Sequence, residues 1–286
     1  MTLATLSDVL QPALAEGYAV GGLVVLGWED ARAFVAAAEA EGAPVILQAG
    51  PGCRAHTPLR VLGTMFRTLA EGASVPVVAH LDHGYDADEC REAVECGFTS
   101  VMFDGSRKPV SQNIDETAAI AEMARAAGVS CEGEIGFVGY DEGEASARTD
   151  PEDAARFARE TGVDAMAVSV GNVHLQQTQA ADIDLEALAA IEAVTDVPLV
   201  IHGASGIPTD MRRHLALNTH VCKFNIGTEL RMAFGQALRD AVNLEPNRFD
   251  RVAILKETEA PVCQAARQAI RTLVAGRPIT IGKTVK

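Results

Sequence analysis

The 286 residues are 48% hydrophobic but only 5% aromatic, enough apolar material for one large α/β unit with a substantial core. A formal net charge of −15 argues against nucleic acid as a partner, and it means that an anionic substrate must be drawn in by a local site. No basic segment leads into an apolar core at the N-terminus and no run of about 18 apolar residues occurs, so neither a signal peptide nor a membrane span is expected.

Short apolar runs alternate with helical patterns along nearly the whole chain. The expected strands are Val20–Leu26, Pro44–Ala49, Val75–Asp82, Ser100–Asp104, Ser130–Gly136, Ala165–Gly171, Pro198–Gly203 and Val221–Gly227. Helical segments follow them, as at Glu29–Glu41, Asp86–Cys96, Ile114–Ala127 and Asp210–Leu217. Gly42, Gly72, Gly97, Gly128 and Gly162 are the expected helix stops, and Asp150-Pro151 reads as an N-cap followed by proline at the first helical position. Eight β-then-α units in a chain of this length predict a TIM (β/α)₈ barrel, one domain over residues 1–286, rather than a doubly wound sheet. The longest irregular stretch, Phe137–Thr149, has the length and composition of an active-site lid or an insertion. Residues 243–286 add helical segments that the repeat does not place. The six cysteines are scattered without a CxxC, as expected for reduced thiols in a cytoplasmic protein.

The unusual residues gather at strand ends, the active face of such a barrel. His80, Asp82 and His83 close an otherwise apolar run, a costly arrangement unless they bind something. Asp104, His174, His202 and Asn225 occupy similar positions, and Glu132 and Glu134 share one side of their strand. Three histidines with an open fourth position form the ligand set of a catalytic zinc, here His83, His174 and His202, with Asp82 placed for proton chemistry. His80 is read as packing or support, and His56, His214 and His220 as surface residues. The small-residue turns from His202 to Pro208 and from Phe224 to Glu229 each open a helix, and such exposed N–H groups favour a phosphate.

The motifs HLDHG (80–84), DGS (104–106), EGEIG (132–136), VGNVH (170–174), HGASGIP (202–208) and KFNIGTELR (223–231) resemble the zinc-dependent class II ketose-bisphosphate aldolases. That family includes the fructose- and tagatose-1,6-bisphosphate aldolases. The resemblance implies a TIM barrel, a homo-oligomer (dimer or tetramer) and a small phosphorylated sugar as substrate, with no membrane partner. It implies zinc, or a similar divalent ion, on His83, His174 and His202, with Asp104 and Glu134 supporting an alternative metal position. Asp82 would handle the carbon-4 hydroxyl proton, and Glu142 in the loop would shuttle the proton at the nucleophilic carbon. Gly203, Ser205, Asn225, Gly227 and Thr228 would hold the phosphate, with a monovalent cation (Na⁺ or K⁺) nearby. The implied reaction cleaves or forms a ketose 1-phosphate or 1,6-bisphosphate through a zinc-stabilised enediolate.

The chain also departs from the family pattern. Leu175-Gln176-Gln177 stands where Gly and then Lys usually follow the second zinc histidine. Val24 stands in place of an Asn, Gly50 falls where Ser or Thr is common, and Tyr140 replaces a second loop Gly. Reaction class therefore transfers better than substrate. The alternatives are a lyase of the same family acting on a non-bisphosphate substrate, a non-catalytic phosphosugar-binding barrel, and a metal-dependent hydrolase or isomerase. Lys223 could suggest a Schiff base, but a class I site has no need of three histidines.

Overall fold

The computed structural model describes residues 2–140, 143, 145–277 and 279. Its strands are β1 (Leu3–Ala4), β2 (Val20–Val24), β3 (Val45–Ala49), β4 (Val77–Gly84), β5 (Ser100–Phe103), β6 (Ser130–Ile135), β7 (Ala165–Val168), β8 (Leu199–Ile201) and β9 (Val221–Ile226). Strands β2 to β9 pair in parallel, each with its sequence neighbour, and β9 closes back onto β2 with Gly22 opposite Asn225. The result is the closed eight-stranded barrel that the sequence pattern predicts. Most strands are shorter than the apolar runs suggest, because those runs include the residues that lead into and out of the sheet. β4 is the exception: it continues through Gly84, so Asp82 and His83 lie within the strand.

The helices are α1 (Leu6–Glu16), α2 (Trp28–Glu41), α3 (Pro51–His56), α4 (Leu59–Gly72), α5 (Ala87–Glu95), α6 (Val110–Ala126), α7 (Pro151–Thr161), α8 (Leu185–Glu192), α9 (Thr209–Asn218), α10 (Thr228–Leu244) and α11 (Arg251–Val274). Gly42 and Gly162 end α2 and α7 in the left-handed conformation, as expected. Gly72 does not, because α4 runs through it and stops at extended Ala73. Asp150 caps α7 by accepting N–H bonds from Glu152 and Asp153.

Two features had no sequence signal. The first is the barrel floor, where β1 pairs with β4 and Leu6, Val9, Leu10 and Ala13 of α1 meet the lowest inward residues of the barrel, among them Val20, Ile46 and Val200. The second is the packing of the C-terminal region, where α11 lies along α2. Arg267 and Arg271 each donate to Glu41 at 2.7 Å. No helix among the described residues is long and apolar enough to cross a membrane.

Candidate active site

Because side chains alternate along a strand, the inward positions above the apolar floor form rings around the barrel. The ring at the level of Gln48 and His80 is polar. Lys223 on β9 is fully buried and lies 2.8 Å and 3.1 Å from the two Glu132 oxygens on β6. Its Nζ stands 3.5 Å from His80 Nε2, and His80 Nδ1 pairs with Ser100 Oγ at 2.9 Å. Burial, followed by the Lys223 charge, pushes the His80 pKa down to about 3. His80 is therefore a neutral supporting residue. Lys223 is committed to an ion pair with Glu132.

Above this layer the three predicted histidines converge. The ligand-capable nitrogens of His83, His174 and His202 all lie within 4.8 Å of one another. His83 pairs through Nδ1 with Asp104 Oδ2 at 2.9 Å, which leaves Nε2 as its free ligand atom. Its backbone sits at φ 111°, an unfavourable region for a non-glycine residue. His174 is held by its N–H to the Gly139 carbonyl, and its ring stacks on Tyr140 with centroids 5.1 Å apart.

Directly after β8, His202 Nε2 lies 3.1 Å from Glu132 Oε1. Its Nδ1 is 3.3 Å from Glu134 Oε2, out of hydrogen-bond alignment, and both atoms are buried without a partner. Two orphaned buried polar atoms beside two further imidazoles are what a divalent ion would satisfy, so the donor set fits a metal. Burial alone would keep His202 neutral, but Glu132 and Glu134 outweigh it and push its pKa up to about 10. Burial and the other two imidazoles push His174 down to about 3. His83, Asp104 and Glu134 form a second group that could hold an ion, and Asp104 and Glu134 are the two residues that the family resemblance assigns to an alternative metal position.

Asp82 is nearly buried. Burial would raise its pKa, but His83 and Lys223 outweigh it and hold the carboxyl below its ordinary value. Asn225 Nδ2 donates to Asp82 Oδ1 at 3.0 Å. Asp82 Oδ2 faces Gly50, where a Cβ would come within 3.3 Å of it. Asn225, expected at the phosphate, thus also orients the candidate base.

A cavity of about 260 Å³ joins these parts, lined by Asp82, His83 and His174 on one side and by Gly203, Ser205, Gly227 and Thr228 on the other. The two small-residue turns meet where Ser205 Oγ accepts the Glu229 N–H. Val24, Gly50, Leu175 and Tyr140, the departures from the family pattern, all line the same cavity. Leu175 takes φ 62°, in the left-handed region where glycine is favoured.

The predicted residues thus gather, except that Glu142 lies outside the described residues. The base of its loop is pinned by paired Phe137–Ala147 backbone bonds and by Thr149 Oγ1 on the Ile135 carbonyl. His56 and His214 are exposed as expected, whereas His220 is half-buried, with a partnerless Nδ1.

Sequence reasoning missed Arg54, which is nearly buried. It donates to the carbonyls of Ala49, Asp82 and His83 and to Glu89, locking the strand ends that carry the site. A single Arg in a short helix carries no signal of this. Only the approach of β3 and β4 creates the three-carbonyl target.

The family model for class II fructose-bisphosphate aldolases matches residues 4–276. The chain is 34% identical to a fructose-bisphosphate aldolase of Geobacillus stearothermophilus, covering 100% of this chain and 99% of the relative. It is 37% identical to a 6-phospho-5-dehydro-2-deoxy-D-gluconate aldolase of Shouchella clausii (strain KSM-K16), over 95% and 94% of the two chains. Among solved structures it is similar to the YdjI aldolase from Escherichia coli K12, with a TM-score of 0.82, 30% identity, and 95% and 97% coverage.

Proposed function

Since the chain belongs to the class II fructose-bisphosphate aldolase family and is a metal-dependent aldolase, we propose that it cleaves, and in reverse forms, a ketose 1-phosphate or ketose 1,6-bisphosphate. The products are dihydroxyacetone phosphate and an aldehyde. The observation that carries this reading is a cavity lined by His83, His174, the buried Asp82 carboxylate and two helix-opening turns, with a nitrogen of fully buried His202 within 4.8 Å of the other two imidazoles.

In this reading His83, His174 and His202 hold a zinc ion, which when bound supplies Lewis-acid stabilisation of negative charge on the ketose oxygens. Asp104 orients His83, Tyr140 covers His174, and Glu132 with Glu134 steadies His202. Asp82 accepts the carbon-4 hydroxyl proton at Oδ2 as the carbon–carbon bond breaks, because Asn225 already occupies Oδ1 and Gly50 keeps the space before Oδ2 open. Protonation of the triose carbon falls to Glu142, a role that rests on the family resemblance. Gly203, Ser205, Gly227 and Thr228 receive the phosphate, where the start of α10 borders the cavity. A monovalent cation beside that phosphate, a homo-oligomer and a cytoplasmic location complete the reading.

The two named relatives carry different substrates at nearly equal identity, so overall similarity does not select between them. A screen of ketose 1-phosphates and bisphosphates with zinc present, read by release of dihydroxyacetone phosphate, tests the proposal. Absence of that product from every sugar, with the metal bound, would refute it.

A further inference from the structure

The two turns of the proposed phosphate cradle belong to different β–α units: Gly203 and Ser205 follow β8, whereas Gly227 and Thr228 follow β9. A cradle built in two parts fits one anion only if the distance between the parts is fixed. Arg212 on α9 and Glu229 in the first turn of α10 join them. Neither residue lines the active-site cavity; both border a separate cavity of about 220 Å³ where α9, α10 and α11 meet.

Arg212 donates from Nη1 and Nη2 to the two Glu229 oxygens at 2.8 Å and 3.0 Å. Its side chain is 4% exposed, against 29% for Glu229. Glu229 also donates its backbone N–H to Ser205 Oγ at 3.3 Å. One residue beside Thr228 is thus tied to both α9 and Ser205. Because Ser205 Oγ accepts that N–H, its own O–H remains a donor for a phosphate oxygen. Desolvation offsets much of what such a nearly buried pair contributes to stability. A planar guanidinium against a carboxylate nevertheless fixes both distance and angle between the two helix starts.

We propose that Arg212 is a positioning residue for the substrate phosphate. Acting through Glu229, it holds the Gly227–Thr228 turn at the distance from Ser205 at which both turns meet one phosphate group. The inference rests on the proposed function for the identity of that ligand. Arg212 does not touch the substrate, so its effect falls on binding of the phosphorylated end, and bond cleavage beside His83 and Asp82 changes little once the sugar is bound.

The test uses zinc-loaded wild type, Arg212→Met, Glu229→Gln, their double variant and Arg212→Lys. Each of the first two substitutions should weaken binding of inorganic phosphate, measured by calorimetry, about tenfold. KM for a ketose 1-phosphate should rise in parallel, with little change in kcat or zinc affinity. The double variant should bind no worse than the weaker single variant, since both substitutions remove one contact. Arg212→Lys keeps the charge without the fork and should recover only part of the loss. A pair that serves stability alone would lower the unfolding temperature and leave phosphate affinity unchanged. That result in Glu229→Gln, which keeps the side-chain shape, overturns the inference even if Arg212→Met does not fold. Additive losses in the double variant, full recovery in Arg212→Lys, or a wild type that binds no phosphate also overturn it. Phosphate binding is read without sugar cleavage, so a protein that binds phosphate but releases no dihydroxyacetone phosphate refutes the proposed function and not this inference.

Discussion

Replacing Lys223 with Met tests the buried polar layer on which the candidate metal site rests. The ammonium lies 2.8 Å from Glu132, and both side chains are fully buried. Removing one partner of such a pair leaves an uncompensated charge in a poorly solvating interior, a loss of about 3–5 kcal/mol. Met retains most of the lysine stem, so little cavity opens. His202 Nε2 stays 3.1 Å from Glu132 and, protonated in the ion-free protein, offsets part of the charge. The expected loss is therefore at the lower end, about 3 kcal/mol. Urea unfolding of the metal-free protein measures it. The double variant Lys223→Met, Glu132→Gln carries no stranded charge and should regain about 2 kcal/mol or more in the thermodynamic cycle. A single-variant loss below about 1 kcal/mol, with no coupling in the cycle, would refute the claim that Lys223 neutralises Glu132.

Asp82→Ala should retain zinc and lose about 10² to 10⁴ in cleavage rate; near-wild-type turnover would place the proton role on another group. Leu175 is half exposed and in the left-handed backbone region, so Leu175→Gly should raise stability by up to about 1 kcal/mol in thermal unfolding. A clear drop in stability would mean that Leu175 packing outweighs its backbone strain. With the His202 pKa at about 10, the ion-free protein holds that proton below pH 10, and it must leave before Nδ1 can bind a metal. Zinc affinity should then rise about tenfold per pH unit for each proton displaced, through the neutral and mildly alkaline range. Titration in weak buffer should show proton release, and zinc uptake without it would contradict the protonated state of His202.

Much of the architecture is determined locally. Eight apolar runs, the last six with polar residues at or near their ends, and Asp150-Pro151 and glycine stops between them, leave a closed parallel barrel as the arrangement that buries every run. The convergence of His83 and His202 follows from that closure, because both stand at strand ends on one rim, whereas His174 lies in the loop beyond β7 and is brought in by its bond to the Gly139 carbonyl. Other features depended on which strands came together in space. Arg54 meets three carbonyls only because β3 and β4 end side by side. Lys223 and Glu132 are 91 positions apart, and their pairing depends on two barrel strands aiming inward at one height. The same holds for Asn225, whose sequence context suggests a phosphate ligand but whose amide reaches Asp82 across the barrel. Sequence periodicity states which face of a strand a residue occupies, whereas the partner it meets there is decided by strand register and barrel closure.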